Sequence, residues 1–238
     1  MVFAAVLAGG KGVRMGNTDT PKQYFELGGK PVIIHTVEKF FLNDRIDEII
    51  VLCPKQWVAH TKDLIDKYIP DGKKVSVIEG GVSRNGTLEN AIEFIENNFE
   101  TDEDTVIVTH DAVRPFLTHR IIVENVDAAL KYGAADTVIP ATDTIVESAD
   151  GSIISSIPER KLMYQGQTPQ SFRLKELEKT LASLTEEEKG VLTDACKIFT
   201  IKNKPVYMVD GEVFNIKITY PYDLKVAETL LKGKDTDA

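Results

Sequence analysis

The chain has 238 residues, 42% of them hydrophobic and 27% charged, values that suit one globular domain with a substantial core. A formal net charge of −9 argues against nucleic acid, which selects a basic face, but leaves anionic small substrates open because local cations matter more than the total. No apolar run reaches about 18 residues and no cleavable leader is visible, so we expect a cytoplasmic protein without a membrane span.

From the amino end, Val2-Phe3-Ala4-Ala5-Val6-Leu7-Ala8 is apolar on both faces and predicts a fully buried strand. It runs into a loop, residues 9–22, holding Gly9, Gly10, Gly12 and Gly16 with Lys11, Arg14 and Lys22 among them. Glycines let a backbone approach a ligand and turn its N–H groups toward phosphate oxygens, and the cations supply charge that oxyanions need. The loop therefore predicts a nucleotide phosphate cradle. Two common cradles do not fit. The dinucleotide fingerprint G-x-G-x-x-G would need glycine where Met15 stands, and the second strand ends Val51-Leu52-Cys53-Pro54 with no carboxylate for a ribose. The ATPase loop G-x-x-x-x-G-K-[ST] needs lysine after Gly16, where Asn17 stands.

A helix is expected over residues 31–42, with Ile33, Val37, Phe40 and Phe41 on one face, then a strand over 47–52. Residues 56–69 form an amphipathic helix in which Trp57 and His60 take packing or surface roles. A strand over 75–78 leads into Gly80-Gly81-Val82-Ser83-Arg84-Asn85-Gly86-Thr87, followed by a helix with Leu88, Ala91, Ile92, Ile95 and Phe99 along one stripe. The strand over 105–109 ends in His110-Asp111-Ala112-Val113-Arg114-Pro115. Alternating strands and helices predict an α/β fold, a Rossmann-like and mostly parallel sheet flanked by helices. Ligands in such sheets sit beyond the carboxyl ends of the strands. The loops 9–22, 80–87 and 110–115 should therefore meet at one edge and form a single site.

After a helix over 121–132 and a strand over 137–140, the segments 143–147 and 153–157 flank Asp150-Gly151, a hairpin signal. Such a ribbon has too little core to stand alone, so a protruding β-hairpin arm over about 141–160 is expected to lean on another surface, such as a second subunit. Helices near 174–183 and 193–198, a strand over 206–209 and the stretch 212–218 complete the sheet region. A last helix opens at Thr219-Tyr220-Pro221, and the tail 232–238 reads as frayed. The two cysteines, Cys53 and Cys196, fall on separate elements and suggest neither a disulfide framework nor a metal site. We expect one domain over 1–238 carrying one arm.

The pattern L-A-G-G-x-G-x-R-M followed by P-K-Q resembles the sugar nucleotidyltransferases. With EGGVSRNGT, HDAVRP, GQTPQSF, TDACK and NIKITYPYDL in order, the chain resembles the cytidylyltransferases of phosphorylated polyols from Val2 to about Leu231. Two activities share this plan: the enzymes making the CDP-methylerythritol intermediate of isoprenoid synthesis, and those making CDP-ribitol for wall teichoic acid. The CDP-ribitol enzymes are the closer match. Isoprenoid enzymes usually carry an acidic residue where Phe214 stands and TDEAS where Thr193-Asp194-Ala195-Cys196-Lys197 stands.

The resemblance implies CTP and a polyol phosphate as substrates, with Mg²⁺ bound mainly through the CTP phosphates and protein metal ligands unknown. It implies that Arg14 and Lys22 stabilise the transition state and that Leu7, Ala8, Gly9 and Gly10 line the nucleotide. Gly80, Gly81, Val82, Ser83, Arg84, Asn85, Gly86, Thr87 and Ala112 match the readers of cytosine and ribose. Arg160 and Lys217 match the cations that place the sugar phosphate, with Thr144, Thr168, Asp111 and Arg114 as polar neighbours. His110 is expected to cap or pack rather than catalyse. The resembling family forms homodimers in which the arm carries the cation matching Arg160 into the neighbour's site. A ribulose-5-phosphate reductase partner stays open. A non-catalytic nucleotide-binding regulator on this scaffold would be expected to lack Arg14, Lys22 or Lys217, and all three are present.

Overall fold

A computed structural model describes residues 1–10, 12–16, 20–70 and 75–234. The loop cation Lys11 and the tail residues 235–238 lie outside the described residues. In chain order the elements are β1 (Val2–Leu7), β2 (Glu26–Leu27), β3 (Lys30–Pro31), α1 (Val32–Phe41), β4 (Glu48–Cys53), α2 (Val58–Tyr68) and β5 (Val75–Glu79). Then come α3 (Arg84–Asn98), β6 (Val106–Asp111), α4 (His119–Tyr132), β7 (Ala134–Pro140) and β8 (Tyr164–Arg173). The chain ends with α5 (Leu174–Ala182), α6 (Glu186–Gly190), α7 (Cys196–Ile201), β9 (Tyr207–Asp210) and α8 (Pro221–Lys234), which runs through the first part of the predicted frayed tail.

The central sheet has the order β5-β4-β1-β6-β8-β7-β9. β1 pairs in parallel with β4 and β6, β4 with β5, and β7 with β9, while β8 runs antiparallel to both neighbours. Because side chains alternate across a strand, β1 feeds both faces. Ala4 and Val6 join α1, α2 and α4 residues such as Ile34, Phe40, Ile65 and Val126. Phe3 and Ala5 join α3, α5 and α7 residues such as Ile92, Leu177 and Phe199 on the other side. The result is three layers with a doubly covered sheet, as apolar strand runs require.

Three expectations need correction. β8 was not expected, because YQGQTPQSFR has no apolar alternation and carries a proline, which ordinarily marks a strand edge. It nevertheless fills the middle of the sheet, with a register irregularity opposite Thr137 that accommodates Pro169. Its buried polar groups are paired: Gln170 Nε2 donates to Asp136 Oδ1 (3.0 Å), and Thr137 Oγ1 donates to the Pro169 carbonyl (2.6 Å). Residues 212–218 are not in the sheet but form an irregular segment between β9 and α8. The arm leaves the body after β7 and turns at Asp150-Gly151, yet its two sides share one isolated bridge, Glu147 with Ser156, instead of a ladder. Asp150 Oδ1 accepts the N–H groups of Ser152 and Ile153 and closes the turn, whereas Ile153, Ile154 and Ile157 face outward without intrachain cover to zip the strands.

Asp136 on β7 supplies a pH test of this packing. Burial first, and after it the charge of Asp194, push its carboxyl up from 3.8 to about 6, against the hydrogen bond from Gln170. The folded state thus holds a proton that the unfolded chain releases. The associated stability is full below about 3.8 and is lost as pH rises through about 6. At pH 7 Asp136→Asn, which keeps the oxygen facing Gln170, should stabilise the fold by about 1–2 kcal/mol, a melting-temperature rise of a few degrees. At pH 4 the difference should vanish. An unchanged or lowered melting temperature at pH 7 would contradict the burial of this charge.

Candidate active site

Three loops at the carboxyl ends of β1, β5 and β6 enclose one cavity of about 440 Å³, as their order along the chain predicted. Its walls are Leu7 to Gly10, Gly12, Arg14, Lys22 and Gln23 from the first loop, Gly81 to Arg84 with Thr87 from the second, Asp111 to Val113 from the third, and Lys217. A Cβ built on Gly9 or Gly10 would meet nothing within 4 Å, so the backbone there stands open to a ligand. Gly12, at φ +67° and tight against Lys22, and Gly16, at φ +98°, bend the loop as L side chains rarely can. At Gly81 a Cβ would lie 2.3 Å from the Gly86 carbonyl carbon, and this contact folds the second loop onto the start of α3. Ser83 caps that helix by accepting the Gly86 N–H at 3.0 Å, while Thr87 Oγ1 accepts from the Gly81 N–H at 3.0 Å.

The electrostatic centre is Asp111, at the end of β6 and 6% exposed. Arg84 Nη1 lies 3.1 Å from Oδ1, and Lys217 Nζ and Arg114 Nε lie 2.8 and 3.6 Å from Oδ2. Burial would raise the carboxyl's proton affinity, but Arg84, Lys217 and Arg114 together hold it well below the usual carboxylate range. Behind it, His110 is fully buried, and that burial lowers its pKa to about 4. The neutral ring donates Nε2–H to the Arg114 carbonyl (3.1 Å), since a carbonyl can only accept, and Nδ1 accepts from the Thr168 hydroxyl (3.0 Å). Thr168 in turn accepts the Asp111 N–H at 3.2 Å. His110 is therefore packing and scaffold, as expected.

Of the predicted nucleotide and catalytic residues, Leu7, Ala8, Gly9, Gly10, Arg14, Lys22, Gly81, Val82, Ser83, Arg84, Thr87 and Ala112 share the cavity wall. Gly80 and Gly86 stand behind it as packing positions. The Asn85 amide turns away and donates to the Lys189 carbonyl at 3.3 Å. On the acceptor side, Asp111 and Lys217 line the cavity, and Arg114 and Thr168 sit beneath it in the network just described. Thr144 and Arg160 do not line it. Arg160 is exposed at the base of the arm, donating to the Thr142 carbonyl at 3.3 Å. Gly12, read from the sequence as part of the phosphate cradle, also lines the cavity, whereas sequence reasoning missed Gln23 and Val113, although Gln23 lies within the quoted P-K-Q. Its buried amide donates to the Ala8 carbonyl at 2.6 Å and ties the lysine turn to β1. It also missed the buried pair Asn215 and Gln167. Asn215 Nδ2 donates to Gln167 Oε1 (3.0 Å) and to the Thr168 carbonyl (2.9 Å), and the Asn215 carbonyl accepts from Arg114 (2.7 Å). This pair anchors the irregular segment that carries Lys217.

Lys22 is the cation whose charge is most finely set. Burial, then Lys217 and Arg14, lower its pKa to about 8, with Asp111 and Asp223 opposing. A site that needs this charge loses it as pH climbs through about 8 in the free enzyme, while bound polyphosphate favours the charged form. Accordingly, kcat/KM for a nucleoside triphosphate should fall on the alkaline side with an apparent pKa near 8, and kcat should hold to higher pH. Lys22→Arg should remove that limb. A flat kcat/KM profile between pH 7 and 9.5 would count against a charged Lys22 in binding.

The comparisons with known proteins agree with one another. Residues 2–233 match the family model described as IspD: 2-C-methyl-D-erythritol 4-phosphate cytidylyltransferase. The 4-diphosphocytidyl-2C-methyl-D-erythritol synthase of Anaerococcus prevotii DSM 20548 is 30% identical, with a TM-score of 0.79 over 97% of this chain and 96% of that one. The 2-C-methyl-D-erythritol 4-phosphate cytidylyltransferase of Francisella tularensis is 25% identical, with a TM-score of 0.77 over 96% and 99%. Its counterpart from Thermus thermophilus is 25% identical, with a TM-score of 0.70 over 97% and 98%. With a family match along nearly the whole chain and the glycine loop and its cations at one cavity, this protein belongs to the IspD family of CTP-dependent cytidylyltransferases.

Proposed function

We propose that the enzyme transfers the cytidylyl group of CTP to D-ribitol 5-phosphate, forming CDP-ribitol and pyrophosphate. The observation that carries the transfer is the convergence of Arg14, Lys22 and Lys217 with open glycine backbone at one cavity, where Asp111, the one carboxylate among the described lining residues, is already neutralised. An oxygen of the acceptor phosphate attacks the α-phosphorus, the bond to the bridging oxygen breaks, and pyrophosphate leaves with its electron pair. No protein nucleophile is required. The protein's work is to hold the reactants in line and to stabilise charge on a five-coordinate phosphorus, the role given to Arg14 and Lys22. The second loop, with Val82 projecting freely and Arg84 fixed by Asp111, suits a pyrimidine reader that excludes the larger purines by shape.

A divalent cation bound with CTP would supply charge to neutralise triphosphate oxygens. Among the described residues no group of three or more His, Cys, Asp or Glu side chains could hold a metal ion, and both Asp111 oxygens face protein cations. Such a cation would be held mainly through the CTP phosphates, and Asp111 is the carboxylate among the described lining residues of the cavity.

For the acceptor, the departures at Phe214 and at residues 193–197 support ribitol 5-phosphate. The half-exposed Phe214 ring offers no acceptor to a hydroxyl where the isoprenoid enzymes usually carry an acidic residue. A second reading is 2-C-methyl-D-erythritol 4-phosphate, and the family description and the names of the solved relatives favour it. Pyrophosphate release with CTP and each acceptor in parallel separates them. We expect kcat/KM far higher with D-ribitol 5-phosphate, and an equal or reversed ratio would transfer the assignment to the second acceptor.

We further propose a homodimer whose arms complete each other's sites. Ile153, Ile154, Ile157 and Leu162 are all more than half exposed along the arm, an apolar strip that water does not favour, and Arg160 at its base stands outside its own chain's cavity. Mixing Arg160→Ala with Lys22→Ala protein, with subunit exchange verified, should restore about a quarter of wild-type activity, because half the dimers are mixed and each has one intact site. A mixture that stays inactive would place Arg160 in its own chain's site.

A further inference from the structure

Arg14 differs from the other cations around the cavity. Arg84 and Lys217 end on Asp111, and Lys22 is buried. Arg14 is exposed and, among the described residues, ends on no carboxylate. An arginine side chain without an ion pair samples many rotamers, and each productive encounter must then order it. What Arg14 does meet is a ring: its Cζ lies 5.6 Å from the centroid of Tyr220, inside the range of cation–π attraction.

Tyr220 is itself firmly held. Its N–H donates to Asp223 Oδ2 at 2.8 Å, beside the Thr219 N–H at 2.7 Å, so the residue is fixed at the start of α8. That helix is rooted through Ala227, Leu224, Leu230 and Leu231 against Leu27 and Val32. The ring therefore belongs to a packed element, and Arg14 to a loop bent by Gly12 and Gly16. Tyr220 is 52% exposed and is not part of the cavity wall.

We propose that Tyr220 is a positioning residue whose ring, carried on the anchored start of α8, holds the Arg14 guanidinium in the direction from which it acts on the triphosphate. This rests on the role given to Arg14 above and deepens it. Preorganised charge counts in the transition state more than in ground-state binding, so the effect should appear in kcat.

The test compares Tyr220→Leu, which keeps bulk and loses the π face, with Tyr220→Phe, which keeps the face and loses the hydroxyl. We expect Tyr220→Leu to lower kcat by about three- to tenfold with KM for CTP within about twofold, and Tyr220→Phe to stay within about twofold of wild type. In an Arg14→Ala background Tyr220→Leu should have no further effect, because the two act as one unit. Wild-type kcat in Tyr220→Leu, an equal loss in Tyr220→Phe, or an undiminished loss in the Arg14→Ala background would each overturn the proposal. An arm independent of activity follows phenylglyoxal modification of Arg14 in the ligand-free protein by peptide mass spectrometry. Modification should be faster in Tyr220→Leu than in wild type and Tyr220→Phe, and equal rates in all three would reject the contact. If wild type made no CDP-polyol from CTP, the functional reading would fall while this arm still decided the contact.

Discussion

One buried carboxylate organises the site. Asp111 is nearly inaccessible, yet three cations from three separate segments end on it: Arg84 from the start of α3, Arg114 from the loop after β6 and Lys217 from the segment before α8. A buried charge is tolerated only when paired, and removing one partner of such a group costs about 3–5 kcal/mol. The same pairing brings the cations to one place before any anion arrives. Asp111 therefore serves fold and function together: it neutralises charges that would otherwise repel, and it aims them at the mouth of β1.

Around that centre the architecture is an arrangement of anchors. The glycine loop is tied to β1 by Gln23 on the Ala8 carbonyl, and the second loop is clasped by Gly81 against Gly86. The segment bearing Lys217 has no regular structure of its own, and buried amides take the place of a ladder: Asn215 on Gln167 and Thr168, and Gln167 Nε2 on the Glu212 carbonyl at 2.8 Å. Buried side-chain hydrogen bonds of this kind fix a unique geometry because leaving them unmade is costly. Irregular backbone at the site is thus rigidly supported from below.

The arm follows a different logic. It is joined to the body by β7 and β8, which pair with each other along their length, but its own two sides are barely paired. Its apolar residues turn outward rather than toward each other. Among the described residues the body buries large apolar side chains in its core, while the arm leaves Ile153, Ile154, Ile157 and Leu162 exposed.

The sequence by itself determined the strand–loop–helix rhythm of the first 130 residues, because doubly buried strands are continuous apolar runs and helices show a single apolar stripe. It also determined the site's cations and glycines, since Arg14, Lys22 and Gly81 stand in loops whose order along a parallel sheet forces them to one edge. Tertiary structure decided the rest. β8 was invisible because its glutamines, threonine and proline are polar or strand-breaking by themselves and become a central strand only once Asp136, Thr137 and Asn215 satisfy them. Residues 212–218 were placed with the sheet region, and Phe214, Ile216 and Ile218 do alternate there, but Ile216 and Ile218 pack under α8 and Asn215 is drawn to Gln167. Asn85, read with its neighbours as a nucleotide contact, points to α6, since the phase of a helix start is set by its cap and not by the motif. Periodicity reports which faces are apolar; it does not report which distant polar group will be there to pair with an amide, and that pairing settled the positions the sequence left open.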